Sequence, residues 1–214
     1  MTRLGESKMN DSERCKSVHE LLETLNIRRS PVDDLPSSGI YFFYEEGEIS
    51  PHTLKERIVR IGTHGESRTL KQRLRDHYSG NREGSIFRKH LGSALLIRMR
   101  KSEEEVREWY KARRSSHYSE FAEIELEVSK IIRSRFFFRA IPIEDLKKRK
   151  YFEERLIATL ASCKLCKPSA TWLGNYAWNG NVRKSGLWNS DFVNSLCRIN
   201  ESDLDRLRQL VGSN

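Results

Sequence analysis

Side chains that handle phosphate esters crowd into one stretch of this chain, from Gly39 to His77. Tyr41 sits in the run Gly39-Ile40-Tyr41-Phe42-Phe43-Tyr44, and Arg60 and His64 sit in Ile58-Val59-Arg60-Ile61-Gly62-Thr63-His64. Arg73 and His77 follow in Thr69-Leu70-Lys71-Gln72-Arg73-Leu74-Arg75-Asp76-His77-Tyr78. They are spaced to share one face of a helix. An arginine fork binds phosphate oxygens in a fixed geometry. An imidazole exchanges protons near neutral pH. A phenol, a guanidinium and an imidazole aimed at one place would suit the cutting of a phosphodiester. That reaction also needs an activated water and charge neutralisation at phosphorus. The rest of the chain must then supply a metal ligand.

The elements that must position these residues are legible from pattern. Gly39 to Tyr44 is aromatic and β-branched and reads as a strand, with Tyr41 and Phe43 on one face and Ile40, Phe42 and Tyr44 on the other. Glu45 to Lys55 reads as a polar loop and Arg57 to Gly62 as a second strand, so the two pair as a hairpin. Thr69 caps a helix over 70–78, with Leu70 and Leu74 inward. Upstream, a helix opens after Asp11 or Ser12, carries Val18, Leu21, Leu22 and Leu25, and ends near Asn26. Downstream, helices are predicted over 84–100, 103–114 and 118–132, the charged 103–114 segment as a solvent-exposed insertion. Arg135 to Ile143 is the next strand. Asp145 to Cys163 is a long helix burying Phe152, Leu156, Ile157 and Leu160. Pro168 to Gly186 has no period and reads as a long loop of the kind that often carries function. Short helices over 191–197 and 201–211 close the chain.

Composition narrows the partners. The 214 residues are 37% hydrophobic and 32% charged, with a net charge of +9. That is a modest core under a heavily charged surface, and the basic excess attracts polyanions, nucleic acid first. No apolar run is long enough to span a bilayer and no secretory signal is visible, so no membrane partner is expected. Four cysteines in a chain of this length do not make a disulfide scaffold, and a reducing cytoplasm is the expected compartment.

Gly39-Ile40-Tyr41, then Arg60-Ile61-Gly62, then Arg73 on the next helix and Glu153 ahead of Leu156-Ile157 on a late helix, together resemble the GIY-YIG nuclease superfamily. The resemblance implies an α+β fold: a small three-stranded antiparallel sheet flanked by helices. It places a nuclease domain at 37–175, with a helical insertion near 102–132. A helical extension precedes it at 1–36, and a C-terminal loop and helices at 176–214 pack on the core. It implies a metal-dependent endonuclease hydrolysing DNA phosphodiesters, restriction-like or in genome defence. One Mg2+, or another divalent cation such as Mn2+, would be held by Glu153, with Glu154 as the rival ligand. Tyr41 matches the first motif tyrosine and Arg73 the helix arginine. His77 resembles the histidine that accompanies that arginine in some restriction endonucleases of the superfamily. Arg60 stands where the second motif tyrosine belongs, and His64 is the nearest group to replace that phenol. Asn175 is the nearest match to the asparagine that steadies the site, with Asn179, Asn181 and Asn189 as rivals.

Further basic groups, Arg82, Arg88, Lys89, Arg183 and Lys184, are candidates for holding double-stranded DNA. Trp172, Trp178 and Trp188 either stack against bases or pack the last helices onto the core. Cutting both strands with one site per chain calls for a homodimer. The alternative function is a non-catalytic nucleic-acid-binding protein that keeps the fold. Cys163-Lys164-Leu165-Cys166 has the spacing of half a zinc site, without a second such pair in the sequence.

Overall fold

The computed structural model describes residues 9–31, 34–111 and 121–212. Its frame is a three-stranded antiparallel sheet in the order β2-β1-β3. The strands are β1 (Gly39–Ile49), β2 (Glu56–Gly62) and β3 (Phe136–Pro142). Tyr41 pairs with Gly62 on one side and Ala140 on the other. β1 runs five residues past the expected end because pairing resumes after an irregularity, with Ile49 opposite Glu56. Glu45 and Glu48 lie in this extension, and both are buried with partners. The indole N–H groups of Trp172 and Trp188 donate to Glu45 at 3.0 and 3.2 Å, and Arg57 pairs with Glu48 at 3.0 Å. Two tryptophans thus serve the core, and burial still pushes the Glu45 carboxyl up.

Alternation along β1 divides the interior in two. Ile40, Phe42 and Tyr44 face a core shared with α1 (Asp11–Glu23), α6 (Leu146–Ser162) and α8 (Glu201–Gly212). Tyr41 and Phe43 face a second core shared with α2 (Leu70–Tyr78), α3 (Ile86–Arg98) and α5 (Ala122–Arg135). A capping box opens α1, where Asn10 and Glu13 satisfy each other's backbone donors, and another opens α2 through Thr69 and Gln72. α1 is therefore an integral wall of the first core: Cys15, Val18 and Leu22 are buried on it.

α4 (Glu103–Lys111) keeps a charged outer face, yet Val106 and Trp109 are buried against α3. Gly92 makes room for the Trp109 ring, since a Cβ there would overlap it. The predicted extension to Arg114 and the predicted helix start at Tyr118 lie outside the described residues. Two expectations in the C-terminal third are corrected. The segment 168–186 holds a 3-10 turn (Leu173–Tyr176) and a short helix, α7 (Gly180–Ser185). Residues 191–197 form turns in place of a helix, with Phe192 at a φ of 62°. A residue in the left-handed region interrupts the helical ladder. No described helix is long and apolar enough to cross a membrane.

Candidate active site

The N-terminal end of β1 and the C-terminal end of β2 lie side by side, and the candidate residues converge there. From the second core, the Tyr41 hydroxyl lies 2.7 Å from His77 Nε2, and His77 Nδ1 lies 2.7 Å from Ser85 Oγ. All three residues are buried. This hydroxyl–imidazole–hydroxyl chain links β1, α2 and the cap of α3. Gly62 is required opposite Tyr41, because a Cβ there would overlap the phenol oxygen. Desolvation, followed by the charges of Arg73, Arg60 and Arg88, holds His77 well below the usual imidazole range. Its imidazole is thus neutral and accepts a hydrogen bond at one nitrogen while donating at the other.

From the first core, α6 sends Glu153 across to the same end of the sheet. Its Oε1 accepts from the Thr63 backbone N–H at 3.1 Å. Desolvation pushes the Glu153 carboxyl up, while Arg60, the Thr63 N–H and Arg73 pull it back. The neighbouring Glu154 points elsewhere and accepts from Ser195 Oγ at 2.7 Å. Glu153 is therefore the carboxylate that shares an electrostatic environment with both arginines.

Arg60 is buried beneath this end of the sheet. Its Nη1 donates to the Trp188 carbonyl at 2.5 Å, and its guanidinium lies 5.2 Å from the Phe87 ring centroid. Burial pushes the guanidinium down from its ordinary range, and the neighbouring Tyr41 phenol pulls it back up. Arg73 is less enclosed; it donates to the Gly84 carbonyl at 2.9 Å and lies 4.0 Å from Asp76. Two guanidiniums, one carboxylate and one phenol–imidazole pair thus influence one another at a single place.

Other sequence-predicted residues fall differently. His64 Nε2 accepts from the Gly39 N–H at 3.4 Å and so ties the loop after β2 to the start of β1, while its Nδ1 donates to the adjacent Gly65 carbonyl at 2.9 Å. Arg88 points inward: it binds Glu125 at 2.7 Å, the His77 carbonyl at 3.0 Å and Ser129 Oγ at 2.9 Å. Arg82 is buried against the rings of Trp109 and Phe121. These two arginines present no outward charge and brace the α2–α5 layer. Lys89 is largely covered, 3.9 Å from Glu83. Arg183 is exposed while donating to the Ala177 and Trp178 carbonyls, and Lys184 is exposed. Asn175 closes its own loop through the Ser169 and Ala170 carbonyls at 3.0 and 3.1 Å.

Asn189 is the asparagine nearest the strand ends. Its side-chain amide accepts from Ile61 N at 3.0 Å and donates to Ile61 O at 2.8 Å, and the Trp188 N–H donates to the Val59 carbonyl at 2.7 Å. This segment pairs with the open edge of β2 and fixes the strand that carries Arg60. Sequence reasoning missed Ser85 and the Thr63 N–H. The first is visible only as a helix cap, and the second has no side-chain signal.

No curated protein and no solved structure matches this chain. A GIY-YIG domain match spans residues 12–214, and so takes in α1, the whole sheet, α6 and the C-terminal segment that covers β2. With that match and the three-stranded sheet together, the chain belongs to the GIY-YIG nuclease superfamily.

Proposed function

We propose that this protein is a divalent-metal-dependent endonuclease that hydrolyses DNA phosphodiesters at the ends of β1 and β2. The observation that carries this reading is the convergence of Glu153, Arg60 and Arg73 beside the Tyr41–His77–Ser85 chain. Glu153 fits a metal as a lone protein carboxylate: one oxygen is oriented by Thr63 N–H, and the residue is only half-buried. A single carboxylate suits Mg2+ or Mn2+, which keep waters and take substrate phosphate oxygens as further ligands. When bound, such an ion would neutralise phosphate charge and make its water acidic.

The remaining roles belong to side chains. Arg73, the more open of the two arginines, binds the phosphate through its fork. Arg60 supplies positive charge from below, where low dielectric strengthens it. Tyr41 donates a hydrogen bond to the neutral His77, and Ser85 fixes the imidazole orientation, so the phenol oxygen is held in place beside the arginines. Lys184 and Arg183 would touch the DNA backbone. A restriction-like, genome-defence role follows if cutting is double-stranded, with a homodimer supplying the second site.

One observation favours a second reading, a DNA-binding protein that does not cut: Tyr41 and His77 are both fully enclosed. Plasmid incubated with protein and Mg2+ decides between them. Cutting is expected, and EDTA, Glu153→Ala and Arg73→Ala should each abolish it. Cutting that survives both substitutions sinks the assigned site. Salt-dependent DNA binding without any cutting by the unaltered protein establishes the second reading.

A further inference from the structure

The opposite end of the β1–β2 hairpin gathers sulfur and imidazole from three distant parts of the chain. Cys15 and His19 stand one turn apart on α1. His52 lies in the turn between β1 and β2. Cys163 caps the C-terminus of α6, and Cys166 follows it. The ligand atoms of Cys15, His19 and Cys166 all lie within 4.8 Å of one another, and so do those of Cys15, His52 and Cys163. His52 Nε2 is 3.4 Å from Cys163 Sγ, and Cys166 Sγ is 3.9 Å from His19 Nε2. A tetrahedral zinc with Zn–S of about 2.3 Å and Zn–N of about 2.0 Å has ligand–ligand edges of roughly 3.5–3.8 Å. The His52–Cys163 and His19–Cys166 pairs bracket that edge; Cys15 is common to both triads, and neither triad holds both Cys163 and Cys166, so the turn between them closes slightly on an ion bound to all three sulfurs.

The surroundings also suit a cation. Cys15, Cys163 and Cys166 are buried free thiols. Cys163 carries the backbone N–H of Cys166 at 3.4 Å, the kind of outer contact that steadies a ligating thiolate. The two histidines differ. His19 has both nitrogens on backbone groups, Cys15 O at 3.0 Å and Ile58 N at 3.3 Å. His52 Nε2 faces Cys163 Sγ at 3.4 Å, closer than either His19 nitrogen stands to sulfur, at 3.7 and 3.9 Å.

We propose that Cys15, Cys163, Cys166 and His52 form a closed structural site for one zinc ion. It fastens α1 and the β1–β2 turn to the end of α6. His19 is a positioning residue beside the sulfurs. The site is independent of the nuclease reading, because none of its residues touches the Tyr41–Glu153 end.

The test uses the full chain purified without chelator. Elemental analysis should find about one zinc per chain. Replacement by Co2+ should give the intense visible bands of tetrahedral cobalt bound to thiolate. Cys197→Ser, at an exposed cysteine, should keep both signals, while Cys166→Ser and His52→Ala should lose or weaken them. If Cys166→Ser fails to fold, titrating the unaltered protein with a mercurial should release zinc in step with thiol modification. Less than about a tenth of a zinc per chain, with no cobalt–thiolate bands, overturns the proposal. So does a chain mass two hydrogens short, which would mark a disulfide among these cysteines. An unchanged cobalt spectrum in His52→Ala overturns the choice of His52.

Discussion

The two ends of the β1–β2 hairpin hold two polar clusters of opposite character, and α6 runs between them. At the strand ends the groups are oxygen and nitrogen, and each accessible one is only partly committed. Glu153 takes a single backbone bond, and Arg73 is spent on one carbonyl and a distant carboxylate. At the turn end the groups are thiols and imidazoles, gathered in two close triads that share Cys15 and buried except for the half-buried His52. An open set with spare bonding capacity works on something brought from outside. A closed set with matched spacing holds something already inside. Glu153 and Cys163 are ten residues apart on one helix, about 15 Å, so the closed cluster anchors the element that aims the open one.

The largest expected effect separates the two ends directly. Glu153→Gln keeps the shape and removes the charge. It should lower plasmid cutting by about 10²–10³-fold, the scale for losing one preorganised electrostatic group, with thermal stability and zinc content unchanged. Cys166→Ser should do the reverse. Losing the metal should cost about 4 kcal/mol and lower the unfolding midpoint by roughly 10 °C. Cutting should persist at temperatures where the variant is folded. If Cys166→Ser removes cutting at full stability, the ends are not separable and the comparison breaks.

Gly62→Ala comes next. The new methyl would meet the Tyr41 hydroxyl inside a filled core, so overpacking should cost about 1–3 kcal/mol by denaturant titration. Tyr41→Phe leaves the packing but removes the 2.7 Å bond to His77, costing about 1 kcal/mol. If the phenol takes part in the chemistry, both variants lose cutting although their stabilities differ. If only Gly62→Ala loses it, Tyr41 is a wall of the core.

The difference in character also explains what the sequence could reveal. The strand-end cluster was legible because its residues follow one another through a strand, a hairpin and a helix, and local pattern places each of them. The α+β class, the strand faces of Tyr41 and Phe43, and the start of α2 at Thr69 all follow from such patterns. The turn-end cluster was legible only as the fragment Cys163-Lys164-Leu165-Cys166, since Cys15, His19 and His52 approach it through tertiary packing alone. Inward arginines are illegible for a related reason. Nothing local distinguishes Arg88, sealed under Glu125, from an arginine that faces solvent. Only the fold reveals that Asn189 borders β2 while Asn175 closes its own loop.

The smallest effect concerns pH and distinguishes site from scaffold within one core. His77 and His90 are both buried and both held neutral, His77 well below its usual range and His90 down to about 3, burial being the main cause in each. An unfolded histidine takes up its proton near pH 6.5, whereas these two resist it while folded. The His90 contribution to stability is therefore complete above about pH 6.5 and is lost as pH falls toward 3, and that of His77 is lost in the same direction. His90 should give a slope of up to about 1.4 kcal/mol per pH unit across that window. His90→Gln and His77→Gln should each flatten the acid limb of a stability–pH curve. Only His77→Gln should also reduce cutting at neutral pH, because His90 meets Tyr110 at 3.2 Å and has no bond to Tyr41. Equal loss of cutting in both variants would mean that the imidazole at position 77 acts through packing and not through its hydrogen bond to Tyr41.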